Sequence, residues 1–457
     1  MVEQDFVSTA IEISRAIARE GGRALAVGGW VRDKLLRMEG DRKDLDLEVF
    51  GVEPERLIEI VKPFGRVDLV GKAFGVLKVA GIDISIPRKE TKVGSGHKGF
   101  LIESDPHLSF EEAARRRDLT INAMAEDLLT GEILDPHGGE RDLDARLLRA
   151  VDLRHFGEDP LRVLRVCRFA ARILFHVEKE TAELCRTLDL SELPPERIFE
   201  EFRIMLLGAR FPSVGLQTMR FLEATRFFPE LETMIGCPQE YEWHPEGDVW
   251  VHTLMVLDAA ADLKTGDRQE DLVLMLAALC HDLGKPLVTS DEKDGRIRSP
   301  NHEPLGEGPT RSFLARLTRE KRLVDDVVAL VVHHLRPHSL HKSGAGPAAI
   351  RRLATKVPID RLVRHARADH YGRTTPDALA RVFPAGDWLL EEARNLEVED
   401  RAPKPILMGR HLIEQGMSPG PEMGRILEAA FEAQLEGVFS DLDGALLWLD
   451  REEGEGP

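Results

Sequence analysis

The sequence lacks the features that would place it in a membrane or outside a cell. Its longest apolar run, LVLMLAALC at 272–280, is well short of the roughly 20 residues that a bilayer-spanning helix needs. The opening residues, MVEQDFVSTA, are acidic and contain no apolar signal core. Only four cysteines occur, Cys167, Cys185, Cys237 and Cys280, and they have no metal-type spacing. Reduced thiols in a cytoplasmic protein with no membrane partner are therefore expected. A basic excess is also missing. The net charge of -18 argues against a surface built for non-specific nucleic-acid binding, although a local basic groove remains compatible with it. There is no internal repeat and no low-complexity tract. The remaining composition, 42% hydrophobic and 31% charged over 457 residues, is that of an ordinary globular chain of more than one domain.

Strand signals are confined to the first third. RALAVGG, KDLDLEVFG, FGVLKVAG and IDISIP read as strands and WVRDKLLRM as a helix, whereas nearly every segment after about Asp152 has helical periodicity. The expected fold class is α+β: a head with a small mixed sheet and helices, then an all-helical neck, body and tail. The expected bounds are 1–150 for the head, 151–235 for the neck, 236–385 for the body and 386–457 for the tail. Proline places junctions in LDLSELPPERI and FPELETMIGCPQEYEWHPEG. KTGDRQE and TSDEKDGRIRSPNHEP read as surface loops, and the terminal REEGEGP as disordered.

One strand stands out. In KDLDLEVF, residues 43–50, Leu45, Leu47 and Val49 share one face, and Asp44, Asp46 and Glu48 the other. Nothing nearby in sequence neutralises these carboxylates. Two carboxylates at this spacing suit Mg²⁺, which takes oxygen ligands together with substrate phosphate. A solvated strand face carries the same pattern. Upstream, ALAVGGWVRDKLL is a strand, a Gly28-Gly29 turn and a helix. Glycines admit a phosphate to backbone amides at a helix N-terminus, and Arg32 adds a donor fork. Asp83, in IDISIP, becomes a third carboxylate if its strand neighbours the first.

GGWVRD, DLD, RRRDLTINAMA (115–125), DPHGGERDL (135–143) and EDPLRVLRVCRFAAR (158–172) occur in that order. This series resembles the bacterial tRNA nucleotidyltransferase (CCA-adding) and poly(A) polymerase family over roughly residues 20–210. The resemblance implies that Asp44 and Asp46 are the metal-binding catalytic pair. It further implies that Arg117, Asp118 and Asn122 hold the incoming nucleotide, that Asp159 and Arg162 read its base, and that Arg165 meets the triphosphate. The sequence departs from the family at Leu119, often aromatic there, and at Arg37, commonly glycine. The TKVGSGHKGF stretch reads as a mobile loop, and the resemblance implies that its full length favours CCA or A addition over CC addition.

Base reading has a physical logic. Cytosine and adenine both present a ring-nitrogen acceptor beside an amine donor, which a guanidinium and a carboxylate match. Asp159 equally suits a helix cap before Pro160. Arg162, Arg165, Arg168 and Arg172 recur at helical spacing, as a solvated face or as a stripe that meets triphosphate or RNA backbone.

The body holds HPEGDVWVHTLMVLDAA, LAALCHDLGKP and ARADHYGR. The ordered set His252, His281–Asp282 and Asp369 suits a divalent transition metal. It resembles an HD phosphohydrolase domain of the kind fused to bacterial CCA-adding enzymes, and His302 with His333 or His334 would complete a two-metal site. The tail resembles that of related nucleotidyltransferases.

Together these imply addition of C and/or A to the tRNA 3′ end from CTP or ATP, with Mg²⁺, release of pyrophosphate and an added phosphohydrolase. The alternatives are an A-adding enzyme or poly(A) polymerase, and an HD phosphohydrolase with an RNA-binding head.

Overall fold

The computed structural model describes residues 2–38, 45–70, 76–92 and 100–454. The chain forms two compact units. One comprises residues 1–205 with 214–227, and the other 206–213 with 228–457.

The first unit opens on a helix, Val2–Arg19, that the strand and helix signals did not mark. Among the described residues nine short strands follow, β1 (Arg23–Val27), β2 (Asp46–Phe50), β3 (Asp68–Val70), β4 (Val76–Val79), β5 (Ile82–Ser85), β6 (Arg88–Lys92), β7 (Phe100–Ser104), β8 (Ala125–Glu126) and β9 (Ile133–Leu134), and then a separate parallel pair, Leu147–Leu148 with His176–Val177. Seven of them make one sheet in the order β3-β4-β5-β2-β1-β8-β9, while β6 and β7 form a separate hairpin. The β2–β5 pair is parallel and the other pairs of the main sheet are antiparallel, so the sheet is mixed. The loop joining β6 to β7 lies outside the described residues, as does Asp44.

Two pairings position the candidate site. Val27 pairs with Asp46, which brings the Gly28-Gly29 turn beside the start of the carboxylate strand. Asp46 pairs with Asp83, so the conditional third carboxylate does sit on the neighbouring strand. Leu25, Val27, Phe110, Ala114, Ala123 and Ala125 form the apolar layer under this sheet.

Among the described residues the second unit is helical apart from one hairpin, Ser290–Asp291 with Ile297–Arg298. The apolar run is the helix Arg268–Cys280, buried at every residue from Asp271 to Cys280. A helix apolar all round belongs in a core, and this one packs among Val249–Asp262, Lys321–His333 and Ile359–Tyr371. Three later helices, Gly409–Glu414, Pro421–Glu436 and Leu442–Gly454, enclose their own cluster of Leu407, Leu412, Met423, Phe439 and Leu449.

Several loop expectations need correction. In KTGDRQE, the Asp267 side chain caps a helix that starts at Arg268 by accepting from Gln269 and Glu270 N–H groups. In TSDEKDGRIRSPNHEP the chain pairs as a hairpin and then enters a short helix at His302. Arg451–Gly454 of the expected disordered end continue the last helix.

Candidate active sites

In the first unit, the RRRD segment is delivered by a short helix, Phe110–Arg115, that begins with a reciprocal Ser109–Glu112 capping box. The helix ends at Arg116, and here the unexplained Glu48 finds its partners. Arg116 and Arg117 reach its two oxygens at 2.9 and 3.1 Å, from 68 and 69 residues away. Burial opposes charge on Glu48, yet the two guanidinium groups hold its carboxyl below the usual range. Arg117, expected to hold nucleotide, is therefore committed to Glu48, though it also lines the cleft. Gly28 needs its glycine: φ is +70°, and a Cβ there would meet the Arg117 guanidinium at 3.0 Å.

The other expected nucleotide ligands form one network. Arg32 donates to Asn122 Oδ1 at 2.6 Å, and the Asn122 amide donates to Asp118 Oδ1 at 2.9 Å. Arg165 Nε donates to Asp118 Oδ2 at 2.7 Å. Arg168 ion-pairs with Glu201 at 2.6 Å. Burial would raise the Asp118 carboxyl, but Arg165, Asn122 and the Leu119 N–H bring it down to about 2. Arg32 is buried and sits over the Phe169 ring at 4.9 Å, and burial lowers its pKa despite Asp33. Arg162 is fixed by two backbone carbonyls, of His155 at 2.8 Å and Arg116 at 2.6 Å. Asp159 accepts from Leu161 N–H at 3.2 Å, as a cap does, and from Arg197 at 2.7 and 3.3 Å.

These groups line a cleft of about 490 Å³. Among the described residues, eight arginines line it (Arg32, Arg116, Arg117, Arg162, Arg165, Arg168, Arg172 and Arg197) against Asp46, Asp118 and Asp159. The stripe of Arg162, Arg165, Arg168 and Arg172 thus faces a cleft rather than bulk solvent. Asp83 lies beside Asp46 but pairs with Lys78 at 3.3 Å. The DPHGGERDL segment works at one remove. Asp135 caps its helix by accepting from Gly139 and Glu140 N–H groups, and buried Asp142 accepts from Thr120 at 2.8 Å.

In the second unit, all four expected residues meet. His252 Nε2 lies 3.1 Å from Asp369 and 3.9 Å from Asp282 Oδ2, which is 3.1 Å from His281 Nε2. On Asp282 Oδ1, His302 Nε2 stands at 3.4 Å and His334 Nε2 at 4.0 Å, so His334 rather than His333 joins the set. His281, His302 and His334 each turn Nδ1 to a backbone carbonyl, of Ala278, Ser299 and Val331, at 2.6–2.9 Å. Those bonds leave Nε2 facing inward in the tautomer a metal requires. Gly284 permits the approach, since a Cβ there would meet the His302 carbonyl oxygen at 2.1 Å. Asp282 and Asp369 are held below the usual carboxylate range against their burial, by His281 with Lys285 and by Arg373 with His252.

Sequence reasoning missed several members. Glu246 stands 2.8 Å from His252 Nδ1, and HPEG carried that signal. Lys285 reaches Asp282 at 2.8 Å from within HDLGK. His365 is fully buried four residues before Asp369, on the same helix face, where burial pushes it down to about 3. Arg197 sits in PPER, which was read only as a junction.

A model of the poly(A) polymerase head domain matches residues 24–149, and one of the HD domain matches residues 249–374. The class is thus a nucleotidyltransferase head followed by an HD domain. A multifunctional CCA protein of Xanthomonas campestris pv. campestris (strain B100) is 40% identical over 326 residues, covering 69% of this chain and 75% of that protein. One from Xanthomonas euvesicatoria pv. vesicatoria (strain 85-10) is 36% identical over 424 residues, 88% and 96% of the two chains. The Bacillus stearothermophilus CCA-adding enzyme, solved in complex with CTP, shares the fold: TM-score 0.67, 21% identity, 98% of each chain covered. The chain belongs to the multifunctional CCA protein family of bacterial tRNA nucleotidyltransferases and is an enzyme. The resemblance drawn from the ordered motifs is borne out. Both component families use divalent metals. Among the described residues no helix is long and apolar enough to cross a membrane.

Proposed function

We propose that the head completes tRNA 3′ ends with C and A taken from CTP and ATP. The observation that carries this reading is the register Val27–Asp46–Asp83, which sets two carboxylates beside the Gly28-Gly29 turn at the edge of an arginine-lined cleft. Asp46 and Asp83 are hard oxygen donors on adjacent strands and fit Mg²⁺, with Asp44 as their sequence neighbour. Bound there, Mg²⁺ neutralises phosphate charge and makes the attacking hydroxyl more acidic.

The chain's own residues position the reactants. Gly28 and Gly29 admit the phosphates to backbone amides, while Arg32 and Arg165 face them with positive charge. Asp118 and Asn122 meet the ribose. Arg162 donates to the ring nitrogen of C or A, and Asp159, its plane set by Arg197, accepts from the exocyclic amine. The terminal tRNA hydroxyl attacks the α-phosphorus, the bond to the β-phosphate oxygen breaks, and pyrophosphate leaves. Positioning and charge neutralisation carry the catalysis. Transcripts ending in N, NC and NCC, incubated with labelled CTP and ATP, test this. Extension of all three to NCCA is expected, whereas acceptance of NCC alone would make it an A-adding enzyme.

A second activity rests on its own observation. His281 Nε2, His302 Nε2 and both Asp282 oxygens are buried without an aligned hydrogen-bond partner. Such atoms are costly unless a cation takes them, and they fit divalent ions, toward which Asp282 would offer both oxygens. His252, His281 and Asp369 would hold one, and His302 and His334 the other. Bound there, the ions activate water toward a phosphoester, 2′,3′-cyclic ends included. Asp282→Ala should abolish such hydrolysis and lower the bound metal measured by elemental analysis. Four free, buried cysteines accord with a reducing, cytoplasmic setting.

A further inference from the structure

We infer that Trp243 is the residue on which the HD cleft stacks the base of a nucleoside phosphate substrate. This rests on the metal-phosphohydrolase reading given above.

The cleft, about 440 Å³, has the metal-type cluster at its floor through Asp282, His302, His334 and Asp369. Lys285, Lys342 and Arg373 line it together with the carboxylates of Glu240, Asp282, Glu303 and Asp369, and Trp243 contributes an indole. Two of the three cations are engaged, Lys285 with Asp282 and Arg373 with Asp369. Lys342 is exposed and makes no ion pair among the described residues, so it is the charge left for a substrate phosphate.

Trp243 is 54% exposed, an uncommon state for the largest side chain, which is normally well buried. In a polar, charged cleft it has no apolar core to join. Its loop is nevertheless pinned. The N–H groups of Trp243 and His244 both donate to the Glu240 carbonyl, at 3.1 and 2.9 Å. The Glu240 carboxylate accepts from Ile297 N–H of the hairpin at 3.0 Å. Glu246 accepts from His244 at 2.9 Å and Thr374 N–H at 3.2 Å, and stands 2.8 Å from His252 Nδ1. An exposed aromatic plane on a fixed loop, sharing a cleft with a phosphate-binding floor, matches what stacks a base without regard to its identity. The reaction is hydrolytic. The water oxygen bonds to phosphorus, one ribose O–P bond breaks, and the released ribose oxygen takes the water's proton.

The test uses the full chain with Mn²⁺, Co²⁺ or Ni²⁺ and two probes: adenosine 2′,3′-cyclic monophosphate and bis(p-nitrophenyl) phosphate. Trp243→Ala is expected to lower kcat/KM for the cyclic nucleotide at least about ten-fold, mainly through KM, and to collapse the ratio between the probes. Trp243→Phe should recover most of the ratio. Tyr241→Ala is the control, because Tyr241 is 77% exposed two residues away and does not line the cleft. If the unaltered protein hydrolyses neither probe with any of the metals, the phosphohydrolase reading fails. If it hydrolyses both and Trp243→Ala keeps their ratio, or Tyr241→Ala shifts it equally, the assignment of Trp243 is wrong.

Discussion

At the level of single residues, the network explains why polar groups crowd a buried place. Glu48 is fully buried, and removing it takes away the carboxylate that both Arg116 and Arg117 reach. Glu48→Ala should therefore lower unfolding free energy by about 3 kcal/mol, read from a denaturant midpoint. Asp118 gives the pH dependence. Its folded pKa, about 2, lies below the ordinary 3.8, so its contribution is complete above about pH 4 and disappears as pH falls toward 2. That contribution is about 2 kcal/mol, and Asp118→Asn should flatten acid unfolding across this window. Asp46→Asn keeps the side-chain volume but, on the proposed function, removes a carboxylate that would hold Mg²⁺. Nucleotide incorporation should drop roughly 10²–10³-fold in a transcript-extension assay.

At the level of elements, capping and turn geometry decide where side chains arrive. The helix Gly139–Asp144 depends on Asp135, which holds two of its first N–H groups. Asp135→Ala should destabilise the protein by about 1 kcal/mol, seen as a lower melting temperature. Arg37 adopts φ +51°, where an L side chain is strained, at the position where the family commonly has glycine. Arg37→Gly should raise the melting temperature, with a gain of about 1 kcal/mol. Strand alternation was legible in KDLDLEVF, because a period of two needs no tertiary information. The partner of Glu48 was not, since a pairing across 68 residues leaves no periodic trace. The hairpin at 290–298 was missed because its strands are two residues each, too short for an alternating pattern.

Across the whole molecule, an acidic chain of net charge -18 concentrates arginine in one cleft and imidazole in another. Each site is built within its own compact unit, so their activities should separate. Asp282→Ala should lose phosphoester hydrolysis while tRNA extension continues, and Asp46→Asn should do the reverse, both assays being run on one preparation. Chelation followed by Mg²⁺ alone should restore extension, because hard oxygen donors accept Mg²⁺, whereas an imidazole-rich site selects a softer ion.

The sequence alone determined that a strand-bearing head precedes a helical body, the carboxylate face of β2, the glycine turn and the His252, His281, Asp282, Asp369 set. Each of these is local or carries a motif whose residue types the chemistry dictates. Only the tertiary structure decided that Arg116 and Arg117 neutralise Glu48, that Arg197 holds Asp159, and that His334 turns inward while His333 does not. Those outcomes depend on which buried charge finds a partner after distant segments have packed, and desolvation, which enforces the pairing, acts only once the core exists.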